Sequence, residues 1–274
     1  MRRKAFRNFK SSSAMRIREA CHVDDISDSE SIEHISHGAG ASRFGNFHNY
    51  YKFNPPSKRL SVLGTDWLLP LADRRIVSTI DFGCNSGDLT VELHTQLRRL
   101  KLPLRTLGID IDPVLIQTAK SLTARCDYGE VKFETVDVMR ENERKSYVEC
   151  FTSDGRFDLG LCFAVTMWIH LNHGDDGLRQ FLQYISSRCD FLLVEPQTWK
   201  CYRNASRRMR RLKKVMFQDI GKLSWNNDVV QRIDEFIQND CNMTIEQYFG
   251  ITEWGRPLTL YRKYKRADKT NTPG

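Results

Sequence analysis

The chain has 274 residues, 40% of them hydrophobic, enough for the core of one large α/β domain with tails. A formal charge of +8 favours a polyanionic partner, nucleic acid first, and says little about fold. No apolar run reaches membrane-spanning length, no signal-peptide core opens the chain, and eight scattered cysteines without a CxxC pair suggest neither a zinc site nor a dense disulfide framework. The expectation is a soluble protein of a reducing compartment, cytoplasmic, with the nucleus as the alternative address.

The opening MRRKAFRNFK carries five basic side chains, and no acid appears before Glu19. It reads as a solvated basic tail more readily than as a presequence or nuclear address. Residues 20–40 then turn acidic and serine-rich, with too few large apolar groups to repay ordering. Residues 1–40 are therefore read as a disordered tail, 41–266 as the folded domain and 267–274 as a second tail. At the domain's start, FGNFHNYYKF packs five aromatics into ten positions among polar groups. Phe44, Phe47 and Tyr51 share a helical face, so an amphipathic helix on the core is one reading of it.

From Arg75 the punctuation is regular. RIVSTIDFG reads as a buried strand closing on a glycine turn, and DLTVELHTQLRRL has helical spacing at Leu89, Leu93, Leu97 and Leu100. TLGID (strand), PVLIQTAKSLTAR (helix, Pro113 in its first turn), VKFETVDV (strand), FDLGLCFAV (strand), GDDGLRQFLQYISSR (helix) and FLLVEP (strand) follow. Alternating strands and helices predict a mostly parallel sheet covered on both faces. A basic helix near 202–216 and another near 227–238 precede MTIEQYF and LTLYRKY, separated by the turn-rich GITEWGRP. Two strands that close pair antiparallel, which predicts an antiparallel C-terminal edge.

Open α/β sheets bind ligands beyond the carboxyl ends of their strands. That rule selects Asp81, Gly83, Cys84, Asn85, Ser86 and Gly87 after the first strand, where glycine and asparagine permit a tight left-handed turn. Asp110 and Asp112 follow the second strand, placed to accept the two hydroxyls of a ribose, and Asp137 follows the third, placed for the edge of an adenine. The turn lacks the G-x-G-x-x-G spacing that lays amides on a diphosphate. S-adenosylmethionine, with ribose and adenine but no phosphate, fits this set better than a dinucleotide.

DFGCNSGDLT, GIDIDP, MWIHLNHGDDGL, LLVEPQTWKCY and FGNFHNYYKFNPP together resemble the bicoid-interacting-type RNA 5′-phosphate methyltransferases, over about residues 43–264. The resemblance implies a Rossmann-like class I S-adenosylmethionine-dependent methyltransferase fold and methylation of the terminal phosphate of an RNA 5′ end. One branch of that family caps a triphosphate, and the other methylates a 5′-monophosphate on histidine tRNA and some microRNA precursors. The capping branch has a lysine inside T-K-W-V-H-L where this chain has Met167, between Thr166 and Trp168. Another of its arginines is replaced here by Asn54. Both departures favour the monophosphate branch, with triphosphate capping as the alternative.

By motif, the resemblance implies that Arg59, Asn85, Asp110, Asp137, Val138 and Phe163 line the cofactor, Gly83 gives it room, and Arg59 faces the methionine carboxylate. It also implies that residues 44–53 form a lid, with Asn46, Tyr50, Tyr51 and Lys52 as phosphate donors and Phe44, Phe47 and Phe53 seating it on the domain. A terminal phosphate carries about −1.5 to −2 charge near neutrality and needs no strong base to attack a sulfonium methyl. Tyr50 and His170 are the expected catalytic-site donors, placing the phosphate without quenching it. His170, His173 and Asp175 match no zinc pattern, so substrate contact or structural hydrogen bonding is expected of them and no metal. Glu195 and Gln197, at the end of FLLVEP, are expected on the loop side of the pocket as substrate-binding residues, a loop-fixing role being the other reading.

YRNASRRMRRLKK carries seven basic residues in thirteen and no acid. Arg207, Arg208, Arg210 and Arg211 are expected to hold RNA backbone. The partner expected is the 5′ end of a small structured RNA, engaged by a monomer without a membrane. A methyltransferase of small molecules or protein side chains and a non-catalytic RNA-binding module on the same fold are the rival readings.

Overall fold

A computed structural model describes residues 44–45, 49–64, 66–101, 103–124, 130–211 and 220–264. The expected tails, 1–40 and 267–274, and residues 46–48 of the aromatic stretch lie outside the described residues. Seven strands form one sheet in the order β3-β2-β1-β4-β5-β7-β6. β1 (Val77–Phe82) runs parallel to β2 (Leu104–Asp110) and β4 (Phe157–Phe163), β2 to β3 (Glu130–Thr135), and β4 to β5 (Cys189–Glu195). β7 (Pro257–Lys263) lies antiparallel to both β5 and the edge strand β6 (Met243–Ile251). The expected mostly parallel sheet with an antiparallel edge is what the chain forms. Strand order reverses between β1 and β4, the place where such sheets open a ligand crevice.

The central strands are apolar on both faces, as a sheet covered on both sides requires. Ile80, Phe82, Leu107, Ile109 and Val194 face a core shared with the helices Thr166–Arg188, Trp199–Arg211 and Val229–Asn239. Leu159, Leu161, Leu193, Leu258 and Leu260 face the helices Pro56–Leu63 and Asp88–Leu97. A smaller cluster of Cys84, Val91, Ile116, Ala119 and Phe133 seats the helix Pro113–Thr123, whose first turn holds the expected proline.

Two helices differ from their expected spans. The run expected from Gly174 instead begins at Thr166 and kinks at Gly174, whose φ of 69° breaks the helical ladder, so the TMWIHLNH motif forms its own helical segment. The basic helix starts at Trp199 rather than near 202, and its part beyond Arg211 lies outside the described residues.

Candidate active site

At the tip of β1 the chain turns through left-handed backbone at Gly83 (φ 81°), Asn85 (φ 53°) and Gly87 (φ 83°). A Cβ on Gly83 would lie 2.4 Å from Val165 Cγ2, and one on Gly87 would lie 2.8 Å from Phe133, so both must be glycine for contact as well as backbone reasons. The turn is tied to β2: Gly83 and Cys84 donate to the Ile109 carbonyl at 2.8 and 2.9 Å, and Asn85 N–H donates to Asp110 Oδ2 at 3.0 Å. Asp110 Oδ1 accepts from Asp112 N–H at 3.0 Å. Burial raises the pKa of Asp110 against the opposing pull of the Asp112, Asn85 and Ile111 amides, and three donors on its four lone-pair sites leave one for a further donor. The neighbouring Asp112 does something else. Its Oδ1 accepts from Val114 N–H at 2.8 Å, which makes it the N-cap of the helix Pro113–Thr123.

Asp137 lies past β3, its Oδ1 accepting from Met139 N–H at 3.0 Å and its Oδ2 paired with Arg140 at 3.2 Å, with the half-buried Val138 beside it. Phe163 ends β4 with 7% exposure. Asp81, on the floor between β1 and its neighbours, accepts from the Thr90 hydroxyl at 2.6 Å. Burial pushes its pKa up to about 7, the Thr90 hydrogen bond opposing and Asp110 assisting.

The deepest charge in the site is Arg59, with no exposed surface. Its Nε and one Nη donate to Glu195 at 2.6 and 3.1 Å, and the same Nη donates to the Tyr50 hydroxyl. The rings of Tyr50, Phe163 and Trp254 lie 5.3, 5.6 and 4.9 Å from the guanidinium carbon. The other Nη is buried and has no hydrogen-bond partner among the described residues.

Glu195 is equally buried, and its partners are groups of the chain itself. Beyond Arg59 it accepts from Arg256 at 3.0 Å and from the Trp254 indole at 3.2 Å. Burial disfavours its ionised form, but Arg59 and then Arg256 hold its pKa below the usual carboxylate range. Trp254 and Arg256 were not among the expected site residues. They arrive because β7 is antiparallel to β5: its first residues lie beside the last residues of β5, so the turn joining β6 to β7 arches over Glu195. The signal was a tryptophan and an arginine inside GITEWGRP, a stretch otherwise suited to a plain turn.

The aromatic stretch reaches the site through its tyrosines. Tyr50–Phe53 form one helical turn; the Tyr51 hydroxyl donates to the Cys84 carbonyl at 3.4 Å, and burial, then Asp81, raises its pKa well above ordinary. Phe44 and Phe53 are 45% and 42% exposed. The backbone at Gly45 passes so near the Trp168 indole that a Cβ there would lie 2.3 Å from the ring. Lys52 is exposed, and Asn46 and Phe47 lie outside the described residues.

Gln197 and His170 are likewise used inside the fold. Gln197 Oε1 accepts from the Thr166 hydroxyl and Met167 N–H, both at 3.0 Å, while its Nε2 donates to the Ala164 carbonyl at 2.6 Å. These three bonds fix the turn after β4, where Ala164 is held at φ 58°. His170 is fully buried between the Tyr202 hydroxyl at 3.0 Å and Asp175 Oδ1 at 3.1 Å, and burial lowers its pKa. Asp175 also accepts from Ser224 and Trp225 N–H, so His170 joins three segments of the chain. Met167 is buried in the core. On the helix Trp199–Arg211, Tyr202, Ala205 and Met209 face inward while Arg203, Arg207 and Arg210 are exposed along one side. Arg208 is half-buried, and the Arg211 side chain lies outside the described residues.

Comparison with known proteins places the chain among its relatives. The family described as Bicoid-interacting protein 3 matches residues 157–263. The RNA 5′-monophosphate methyltransferase of Bos taurus is 41% identical, over 85% of this chain and 84% of that protein. The pre-miRNA 5′-monophosphate methyltransferase of Xenopus laevis is 38% identical, over 86% of this chain and 98% of that protein. Among solved structures, the bifunctional kinase-methyltransferase WbdD superposes with a TM-score of 0.51 at 16% identity, over 80% of this chain and 43% of that one, a likeness of fold alone. Identities of 38–41% to relatives covered over 84–98% of their length show that this chain belongs to the Bicoid-interacting protein 3 family of methyltransferases.

Proposed function

We propose that this chain is an S-adenosylmethionine-dependent methyltransferase whose acceptor is the 5′-monophosphate of a small structured RNA. The observation that carries the reading is the pairing of its strand-tip site with a chain 41% identical to an enzyme named for that acceptor. The residues fit the cofactor. Gly83 and Asn85 give the turn its left-handed backbone at the strand tip, Asp110 keeps a lone pair for a ribose hydroxyl, and the unpartnered Nη of Arg59 is a buried cation suited to a carboxylate. When bound, the cofactor supplies an electrophilic methyl group.

The chain's own contribution is placement. Arg59 donates to the Tyr50 hydroxyl, which leaves the phenolic hydrogen to donate to a phosphate oxygen. The hydrogen-bonded frame of Arg59, Glu195 and Tyr50 fixes that donor before the acceptor arrives. Met167, at the position of the capping branch's lysine, is buried and apolar, so the chain lacks that cation to offset the extra charge of a triphosphate.

Labelled S-adenosylmethionine offered with matched RNAs bearing 5′-hydroxyl, 5′-monophosphate or 5′-triphosphate ends tests this. Label is expected on the monophosphate RNA, resistant to phosphatase. Label on the hydroxyl RNA would make a base or ribose the acceptor, and preferential labelling of the triphosphate would return the capping reading.

A further inference from the structure

Two guanidiniums share one carboxylate at the tip of β5. Glu195 takes Arg59 through two bonds and Arg256 through one, which leaves one positive charge of the cluster uncompensated in a largely buried place. The two cations are not equivalent. Arg59 has no exposed surface, whereas the Arg256 side chain is 16% exposed and its Nε has no hydrogen-bond partner among the described residues. Arg256 also lies among Tyr50, Glu195 and Cys201, the last on the first turn of the basic helix Trp199–Arg211. It therefore stands between the proposed cofactor side of the crevice, marked by Arg59, and the helix whose outer face carries Arg203, Arg207 and Arg210.

Its backbone is fixed as well. Thr252 N–H donates to the Arg256 carbonyl at 2.8 Å, Arg256 N–H donates to the Thr252 hydroxyl at 3.1 Å, and Gly255 supplies the left-handed residue between them at φ 75°. Lys58 pairs with Glu253 at 2.7 Å and ties the same turn to the helix Pro56–Leu63. A cation held this way needs little reorganisation to receive an anion.

Resting on the proposed function, we infer that Arg256 is a substrate-positioning residue that binds the 5′-phosphate of the RNA, while Arg59 serves the cofactor. Together with the Tyr50 hydroxyl it would hold two of the phosphate oxygens and leave the third to accept the methyl. One arginine here is enough charge for a monophosphate and too little for a triphosphate.

The test compares binding of two RNA oligonucleotides of one sequence, 5′-monophosphate and 5′-hydroxyl, to wild type, Arg256→Gln and Arg256→Lys, each saturated with S-adenosylhomocysteine. Wild type is expected to prefer the phosphorylated end. Arg256→Gln should cut that preference by about tenfold or more, the worth of a charge-assisted hydrogen bond, while affinity for the hydroxyl oligonucleotide and for S-adenosylhomocysteine stays within about threefold. Arg256→Lys should restore part of the preference as a point charge. A preference unchanged in Arg256→Gln would overturn the inference and leave the proposed function standing, as would a loss equal for both RNAs or a selective loss of S-adenosylhomocysteine binding. No preference in the wild type would instead sink the proposed function itself. If Arg256→Gln does not fold, Arg256→Lys decides: its fork geometry lost, it should keep hydroxyl-RNA affinity and lose some phosphate preference, and an unchanged preference counts against Arg256.

Discussion

Arg59 and Glu195, 136 residues apart in sequence, form a two-bond ion pair with both side chains fully buried. Such a pair is costly to assemble and costlier to break, because removing one partner leaves a bare charge in a low-dielectric place. Glu195→Gln should therefore cost about 3 kcal/mol or more in stability and weaken S-adenosylhomocysteine binding by releasing Arg59. Thermal melting and calorimetry would read both effects; a variant that melts and binds like wild type would strip Glu195 of this role.

His170 offers a sharper contrast with what its motif suggests. Both ring nitrogens are engaged inside the fold, so His170→Gln should lower stability by about 1–3 kcal/mol yet leave kcat/KM of the folded enzyme within about threefold. A large fall in kcat with melting unchanged would restore it as a catalytic group.

Asp81 makes stability depend on pH. Its pKa rises from 3.8 to about 7 on folding, so the folded chain binds that proton more tightly than the unfolded chain. The contribution is full below pH 4 and is lost as pH rises toward 7, amounting to about 4 kcal/mol at most. Asp81→Asn keeps an acceptor for Thr90 and removes the titration. Melting curves of the cofactor-free proteins from pH 5 to 8 should show wild type losing stability relative to the variant; parallel curves would refute the assignment.

The exposed row of Arg203, Arg207 and Arg210 should act on RNA without regard to its end. Replacing Arg207 and Arg210 by glutamine is expected to weaken phosphorylated and hydroxyl RNAs alike, to reduce the slope of log affinity against log salt by about 2, and to spare S-adenosylhomocysteine binding. An unchanged slope would remove this face from the RNA path.

Read by itself, the sequence determined the alternating α/β order, the glycine turn after β1, the acids at the tips of β2 and β3, and the final antiparallel pair. Each of these is local: periodicity, a left-handed residue or a strand end is visible within a few positions. Tertiary structure alone decided what polar residues on those loops do. Gln197 and His170 stood open between binding and structural roles because turn-fixing amides and buried bridges use the same residue types as binding sites, and their partners are visible only in three dimensions. Glu195 became the keystone of the site, and Arg256 and Trp254 entered it, because an antiparallel last strand folds a distant turn back over the tip of β5. Long-range pairing of that kind is set by sheet order, which no short stretch of residues encodes.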